Sequence, residues 1–347
     1  MKRFEIAESD SRLITNNVEL MQMTRLENWY FANYVPSEKA HTLRAKAGDF
    51  DCFATFCGEV LGKPWPRMLL ADVTEATVRS WQDWMIEKVR YAPATVNRRV
   101  ATIRHLCSVV KERVPSWHNP FSTISDLPTE VEYRAIPAEK VDALIAAAYS
   151  LALPKQPGAS FYNGRSGLAV EIPILTGMRS FEVLGLTVGH VSKDLRWFVS
   201  VRVKGGRYQN KYIPERLQDS LQVWLPFRDE VLERHYPAYR KMSVAERAGT
   251  PLLPTLSRED SLPREMNYKA HYKIFRAAAE IVDAGPFATH SARHSFCEAM
   301  TEAHKDPFLV AQAAGHSDPK TTFRYSQRSR DKLGSAIEEA TRARRKG

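Results

Sequence analysis

Cysteine is scarce in this 347-residue sequence, and long hydrophobic runs are missing from it. The four cysteines are scattered, form no CxxC pair and have no histidine at zinc-finger spacing; they are Cys52, Cys57, Cys107 and Cys297. This pattern excludes a disulfide framework and a structural zinc site, so we expect reduced, mostly buried thiols. No apolar run approaches the roughly 20 residues of a membrane-spanning helix. The first residues also lack the apolar core of a signal peptide, so we expect a cytoplasmic protein without a membrane partner.

The composition is that of an ordinary globular protein with an excess of positive charge. Hydrophobic residues make up 44% of the chain and charged residues 26%, which excludes a largely disordered protein. At roughly 150 residues per domain, the length predicts about two domains. The net charge is +10 and the pI is about 9.4, which favours a polyanionic partner. Charge alone is weak evidence, so it must coincide with groups that handle phosphate.

The distribution of prolines and apolar residues predicts four segments. Residues 1–20 are polar and indicate a flexible arm, whereas residues 21–118 have a helical pattern throughout. Residues 119–134 are punctuated by prolines and partly acidic, which indicates an interdomain linker. Residues 135–347 form the second domain, which ends in a tail helix. We therefore expect a helical domain followed by a larger, mostly helical one.

One helix of the first domain has the clearest pattern. Its apolar positions are spaced alternately by four and three residues and form one stripe: Val96, Val100, Ile103, Cys107, Val110 and Val114. Pro93 is placed to open this helix, and the polar side carries Arg98, Arg99 and Arg104. Thr74 marks the start of the preceding helix, whose aromatic residues fall at core positions. One face of the helix that Pro93 opens is therefore expected to pack in the core, and another face is cationic.

The second domain is predicted to be mainly helical, with helices around 138–150, 166–186, 216–234 and 267–283. Residues 197–203 differ, because apolar and polar side chains alternate before Gly205 and Gly206; this predicts a strand entering a tight hairpin. With the two glycines as the loop, Arg202, Lys204 and Lys211 share one face, opposite the apolar one. The expected fold class is mainly α (α+β), with a small antiparallel β-sheet.

Four short motifs follow one another in the second domain. They are Thr176-Gly177-Met178-Arg179-Ser180-Phe181-Glu182, the hairpin lysine, His290-Ser291-Ala292-Arg293-His294, and Gly315-His316 followed by Tyr325. Most are weak singly, whereas the ordered set is specific. The ordered set resembles the tyrosine recombinase (phage integrase) family. The same resemblance is found in the first domain, in Ala94-Thr95-Val96-Asn97-Arg98-Arg99. The similarity is to the simple Xer and Cre type without an arm-binding domain.

The resemblance implies an enzyme, a site-specific recombinase that cleaves and rejoins DNA strands through a 3′-phosphotyrosyl intermediate without metal or cofactor. It implies that residues 21–118 are a SAM-like core-binding domain and that residues 135–347 are the catalytic domain. The implied partner is double-stranded DNA with short inverted half-sites. A homo-tetramer would bind two such sites and exchange strands through a Holliday junction, whereas the free protein would be a monomer or dimer. Such a protein would be associated with the nucleoid.

The resemblance also assigns roles to the motif residues. Tyr325 is the expected nucleophile, and His316 would hydrogen-bond a non-bridging phosphate oxygen. Arg179 and Arg293 would hold the phosphate, because arginine is permanently charged and can bind two oxygens at once. His290 is the expected acid or base. A further residue, Glu182, lies three positions after Arg179 and is expected to hold that arginine in place.

The leaving 5′-oxygen needs a proton, which the family supplies from a hairpin lysine. We favour Lys204, next to the glycine turn. The stretch from Lys204 to Pro214 is slightly longer than usual in the family, so Lys211 remains a competitor. The residues expected to contact DNA elsewhere are Arg98, Arg99, Arg104, Arg202 and Lys211.

The tail has apolar residues at helical spacing, namely Leu333, Ile337 and Ala340, and is too short to fold alone. The resemblance implies that such a tail docks on a neighbouring subunit, so we expect a cyclic exchange of tails in the tetramer, with a frayed basic tail as the alternative. A type IB-like topoisomerase would use similar residues, and a non-catalytic DNA-binding protein would share the scaffold. A metal-dependent transposase or nuclease is disfavoured, because no paired-carboxylate arrangement stands out.

Overall fold

The computed structural model describes residues 17–35, 40–129, 135–152, 155, 158–257, 259–285, 287, 289–304 and 306–315. Contacts within the backbone divide the chain into two compact units, Met1–Val131 and Glu132–Gly347. The division falls inside the predicted linker. No helix of the described part is long and apolar enough to cross a membrane.

The first unit is built from four α-helices: α1 Met23–Tyr34, α2 Ala40–Glu59, α3 Glu75–Glu87 and α4 Pro93–Arg113. Short 3₁₀ turns precede α1 and join α2 to α3. The Thr74 hydroxyl caps α3 by accepting the Thr77 N–H at 3.1 Å, and Pro93 opens α4; the sequence predicted both helix starts.

The core of the first unit is rich in aromatic side chains. The most deeply buried include Tyr30, Phe50, Phe53, Phe56 and Trp81. They pack against the predicted stripe of α4, whose members from Val96 to Val114 are all buried. The aromatic residues of α3 therefore stabilise the core, as their helical spacing predicted. The thiols of this unit are free, and Cys57 and Cys107 are buried within it.

Both predicted boundaries of the first domain need correction. Val18 is buried in the core, so residues 18–20 belong to this unit rather than to an arm. Residues 119–127 were predicted as linker, yet Phe121 and Ile124 are buried in the same core. Asn97 of α4 binds both the N–H and the carbonyl of Leu127, at 2.8 and 2.9 Å. Phe121, Ile124 and the Asn97 amide thus contribute to docking the segment onto the first unit.

The second unit contains most of the helices. They are α5 Ala138–Ala148, α6 Ala159–Thr176, α7 Ser180–Leu184, α8 Glu215–His235, α9 Pro237–Arg240, α10 Val244–Ala248, α11 Tyr268–Ile281, α12 Thr289–His304 and α13 Pro307–Ala314. The α6 helix is buried along most of its length and packs against α5, α8, α11 and α12. The predicted single helix over 166–186 is wrong, because Gly177 has a φ of +65° and ends α6. Since L-residues other than glycine rarely adopt this conformation, Gly177 redirects the chain before α7 begins.

Two short antiparallel pairs complete this unit: β1 Trp197–Arg202 with β2 Tyr208–Tyr212, and β3 Pro254–Thr255 with β4 Arg264–Glu265. The first pair is the predicted hairpin, but its register differs from the prediction. The Val203 N–H donates to the Arg207 carbonyl at 2.8 Å, so the loop comprises Lys204, Gly205 and Gly206. A bulge follows between Phe198 and Val201, with Ser200 at a φ of +53°.

The loop sets the face of the hairpin on which Lys211 of β2 lies, and the bulge sets its partner on β1. Lys211 pairs with the buried Phe198, and not with Ser200 as predicted. Its side chain is buried, whereas Arg202 and Lys204 are exposed. The prediction that these three share one polar face is therefore wrong. The loop has three residues instead of two, so Arg202 pairs with Tyr208, and Gln209 and Lys211 lie on the opposite, apolar face.

Candidate active site

Arg179 lies at the turn between α6 and α7, directly after the chain reversal at Gly177. Its guanidinium binds Glu182 at 3.0 Å, and its backbone N–H donates to the same carboxylate at 2.8 Å. The Glu182 carboxylate is completely buried, so this ion pair holds the arginine at the start of α7. Arg179 itself retains 21% exposure of its side chain. The spacing of three residues predicted this contact.

Arg293 reaches the same turn from α12. It is buried, and its Nη1 donates to the Gly177 carbonyl at 2.6 Å. The Phe296 ring of α12 lies against Gly177 so closely that a Cβ at this position would clash with it. Gly177 is thus required for its backbone angle and for close helix packing, and it fixes both arginines relative to one turn of chain.

His290 lies one turn before Arg293 on α12, and its ring meets that of His294 edge-on at 5.0 Å between centroids. Partial removal from water lowers the pKa of His290, and the charges of Arg293 and Arg179 lower it further. The neutral imidazole is therefore favoured, which suits a base.

Lys211 approaches this cluster from β2. Its Nζ donates to the Ala313 carbonyl at 2.7 Å, at the carboxyl end of α13. Burial lowers the pKa of Lys211 to about 8; Glu182 opposes this shift, and Arg293 and Arg179 add to it. Charged groups of α7, α12 and the turn before α7 therefore all act on the Lys211 ammonium of β2.

The structure does not bring Lys204 to this cluster. Lys204 occupies the exposed hairpin loop, several residues before Lys211 along the chain. Arg202 is likewise exposed, opposite Tyr208 in the hairpin. His316 and Tyr325 lie outside the described residues, as does the tail with Leu333, Ile337 and Ala340. The last described residue is Gly315, which directly precedes His316.

Gln209 is a residue of this region that the sequence analysis missed. Its Nε2 donates to the Gln312 carbonyl at 2.8 Å, one residue before the carbonyl that Lys211 binds. The available signal was its position two residues before Lys211 on β2, since alternate strand residues share a face.

The arginines predicted to bind DNA from α4 differ in their surroundings. Arg99 contacts the Gly48 carbonyl at 2.7 Å and the buried Asp49 at 3.3 Å, and only 15% of its side chain is exposed. Arg104 binds Asp126 at 2.9 Å and the Ile124 carbonyl, so it holds the docked segment 119–127. Arg98 also binds Asp49, but 48% of its side chain is exposed. Arg98 is therefore the most accessible of the three.

Within the described residues, no group of three or more histidine, cysteine, aspartate or glutamate side chains is placed to hold a metal ion. The clustered site is instead cationic, with one buried carboxylate.

Comparison with known proteins identifies the family of this chain. The phage integrase family model matches residues 136–332. Tyrosine recombinase XerD of Brucella suis biovar 1 is 25% identical over 274 residues, which cover 78% of this chain and 83% of the relative. Tyrosine recombinase XerC of Mycobacterium sp. (strain KMS) is 26% identical over 305 residues, which cover 85% and 92%.

Two solved structures show the same fold. The XerH site-specific recombinase bound to difH substrate gives a TM-score of 0.62 at 16% identity, covering 90% of this chain and 81% of that one. The Tn1549 transposon integrase in complex with transposon right end DNA gives 0.64 at 17%, covering 92% and 99%. Because the family model spans more than half of the sequence, the chain belongs to the phage integrase family and is a Xer-like tyrosine recombinase, a site-specific recombinase enzyme.

Proposed function

We propose that this enzyme cleaves and rejoins double-stranded DNA at specific sites through a 3′-phosphotyrosyl intermediate on Tyr325. The observation that carries the proposal is the convergence of four cationic or titratable groups: the charges of Arg179 and Arg293 lower the pKa of both His290 and Lys211. A phosphodiester is the substrate that such a cationic cluster suits best, because its reaction places negative charge where fixed donors can meet it.

In the proposed cleavage step the Tyr325 phenol attacks the scissile phosphorus, and the bond to the 5′-oxygen breaks. Arg179 and Arg293 bind the non-bridging oxygens, and His316 donates a further hydrogen bond. His290 accepts the phenol proton, which its lowered pKa permits at neutral pH. Rejoining is the reverse: a 5′-hydroxyl attacks the phosphotyrosine and releases the phenol.

Lys204 is the proposed general acid that protonates the leaving 5′-oxygen. Its exposed side chain lies in the hairpin loop, where a long cation can extend towards bound DNA. Lys211 is less suited to this role, because its Nζ is buried and already donates to the Ala313 carbonyl.

A sulfur leaving group tests this assignment. A substrate with a 5′-bridging phosphorothiolate releases a thiolate, which needs no proton. Such a substrate therefore restores the cleavage rate only of a variant that lacks the general acid. We expect Lys204→Met to slow cleavage of the ordinary substrate by about 10² to 10⁴ and to approach the wild-type rate on the phosphorothiolate. Relief of Lys211→Met, and not of Lys204→Met, would assign the acid to Lys211.

The proposed DNA partner consists of short inverted half-sites, bound by a homo-tetramer on two such sites at the nucleoid. Family membership supports this assembly, and XerH has been seen bound to its difH substrate. The tail beyond residue 330 is the proposed exchange element between subunits. Deletion of residues 331–347 is expected to leave binding to a single half-site intact and to abolish assembly of two sites, measured by sedimentation; unchanged assembly would reject the exchange.

The experiment that tests the function uses duplexes selected by this protein from a random-sequence library. Wild-type protein is expected to cleave the selected duplexes, and Arg179→Ala or Arg293→Ala to slow cleavage by about 10² to 10³. Arg234→Ala is the matched control, since its side chain is 73% exposed on α8, and it should leave the rate unchanged. Tight binding of wild-type protein without any cleavage would favour a non-catalytic DNA-binding protein.

A further inference from the structure

Two side chains of β2 bind the carboxyl end of α13. Lys211 Nζ donates to the Ala313 carbonyl at 2.7 Å, and Gln209 Nε2 donates to the Gln312 carbonyl at 2.8 Å. The last carbonyls of a helix lack the regular donor four residues on, and here two of them accept a side-chain donor from the hairpin. A cation at this end is also favoured by the helix dipole.

Gly315 allows the hairpin to lie this close. It ends α13 with a φ of +73°, and its N–H returns to the Gln312 carbonyl at 3.1 Å. A Cβ at this position would clash with the Gln209 amide and lie 3.1 Å from Lys211 Nζ. The Gln209 and Lys211 side chains of the hairpin thus lie against the backbone of Gly315, the residue directly before His316.

The burial of Lys211 is costly, so its position calls for an explanation. A buried ammonium is destabilising unless it is paired, and the Arg179 and Arg293 charges add repulsion. The partly compensating groups are Glu182 and the Ala313 carbonyl. A methionine of similar volume would avoid this cost, which points to a role for the ammonium beyond stability.

We propose that Lys211 and Gln209 are positioning residues of the recombinase, which hold the end of α13 and thereby support the proposed hydrogen bond of the following residue, His316, to the phosphate. The inference rests on the proposed function and adds two residues to it. Lys211 then acts through the backbone of α13 rather than by giving up a proton.

A double-mutant cycle in strand cleavage tests this role. Misplacement of a catalytic group by about 1 Å can cost about 10²-fold in rate, so Lys211→Met should slow cleavage by about that factor. In a His316→Ala background the same substitution should cost at least tenfold less, because the group that it misplaces is already gone. Equal factors in the two backgrounds, within about twofold, would overturn the proposal.

The leaving group supplies the control for proton transfer. Lys211→Met should slow cleavage of the ordinary and the 5′-phosphorothiolate substrates by the same factor. A loss seen only with the ordinary substrate would overturn the positioning role. Gln209→Met, at a partly exposed site and therefore a milder change to the fold, should reproduce the coupling to His316 at smaller amplitude.

Hydrogen exchange keeps the test independent of the chemistry. In the protein alone, Lys211→Met and Gln209→Met should speed exchange at the amides of α13 and Gly315, whereas Lys204→Met should leave it unchanged. Unaltered exchange in both variants would overturn the proposal even if cleavage is impaired. Conversely, the two variants could exchange faster while the wild-type protein never cleaves DNA. That result would support the contact between β2 and α13 and reject only the proposed function.

Discussion

Lys211 shows how the surroundings of one residue change its chemistry. In water a lysine has a pKa near 10.5, whereas burial beside two arginines lowers the pKa of Lys211 to about 8. Below pH 8 the folded state holds a charged group that its surroundings disfavour, and this penalty is relieved as the pH rises. Between pH 8 and 10.5 the unfolded chain binds more protons at this site, so stability rises with pH.

The first prediction concerns this pH dependence. The free energy of unfolding of wild-type protein should rise relative to that of Lys211→Met between pH 8 and 10, by roughly 3 kcal/mol at most. Urea titrations of both proteins at matched pH values measure the difference. The groups around Lys211 are common to both proteins and so largely cancel: Glu182, Arg179, Arg293 and Cys297. Curves that stay parallel across this range would contradict the pKa of Lys211.

The second prediction concerns Gly177. An alanine there must adopt a φ of +65° and also displace the Phe296 ring. Gly206→Ala is the matched control, since its φ is +77° but its Cβ would meet open space. We expect the control to lose about 1 kcal/mol of stability and Gly177→Ala to lose about 1 to 3 kcal/mol more, measured by denaturant unfolding. Equal losses would show that the Phe296 contact does not matter.

Some residues of the candidate site could be predicted from the sequence, and others could not. Arg179, Glu182, Arg293 and His290 could be found because their spacings within short motifs place them on one turn or one helix. Gln209 and the burial of Lys211 could not, because they depend on a loop of three residues, Lys204 to Gly206, where the two glycines indicated a loop of two. Spacing along a helix is fixed by geometry, whereas strand register depends on the loop and on irregularities.

At the scale of elements, the docked segment 119–127 is the main surprise. Prolines and acidic residues predicted a linker, yet Phe121 and Ile124 are buried and Asn97 binds Leu127. The helix α4 could be predicted from its apolar stripe, because such a stripe needs a partner surface. The docking could not be predicted, because it depends on tertiary contacts of Asn97 and Arg104 with the segment.

The third prediction tests this docking. Asn97→Ala removes both hydrogen bonds to Leu127 and should weaken docking by about 1 to 2 kcal/mol, which is up to about 30-fold in exchange at the Leu127 amide. Asn33→Ala is the control, since the Asn33 amide binds the Trp29 carbonyl of its own helix. Hydrogen exchange of the two variants measures the effect. Unchanged exchange at Leu127 in Asn97→Ala would show that the burial of Phe121 and Ile124 and the contacts of Arg104 hold the segment without Asn97.

At the scale of the whole molecule, the positive charge of the chain agrees with the proposed DNA substrate. The sequence predicted two units and a basic protein, but it did not predict which cations are accessible. Arg98 and Arg202 are exposed, whereas Arg99 and Arg104 are engaged within the first unit. Pairing with acidic groups depends on the tertiary fold, so the sequence of one helix face could not distinguish them.

The fourth prediction follows from this distinction. Phosphate contacts release counterions, so Arg98→Ala and Arg202→Ala should each reduce the slope of log affinity against log salt by about one. Arg79→Ala is the control, because Arg79 is exposed on α3 and paired with Glu75. Fluorescence anisotropy across a salt series measures the slopes. A slope unchanged in both variants would remove these arginines from the DNA surface.

Covalent trapping on nicked DNA reveals whether Tyr325 becomes attached to DNA. Nicked duplexes that carry the selected site let the short 5′ fragment diffuse away, so the protein stays attached to its DNA on a denaturing gel. We expect such a band for wild-type protein and for Tyr268→Phe, whose tyrosine is exposed on α11, and none for Tyr325→Phe. A band that persists in Tyr325→Phe, or cleavage without any covalent band, would show that Tyr325 is not the nucleophile.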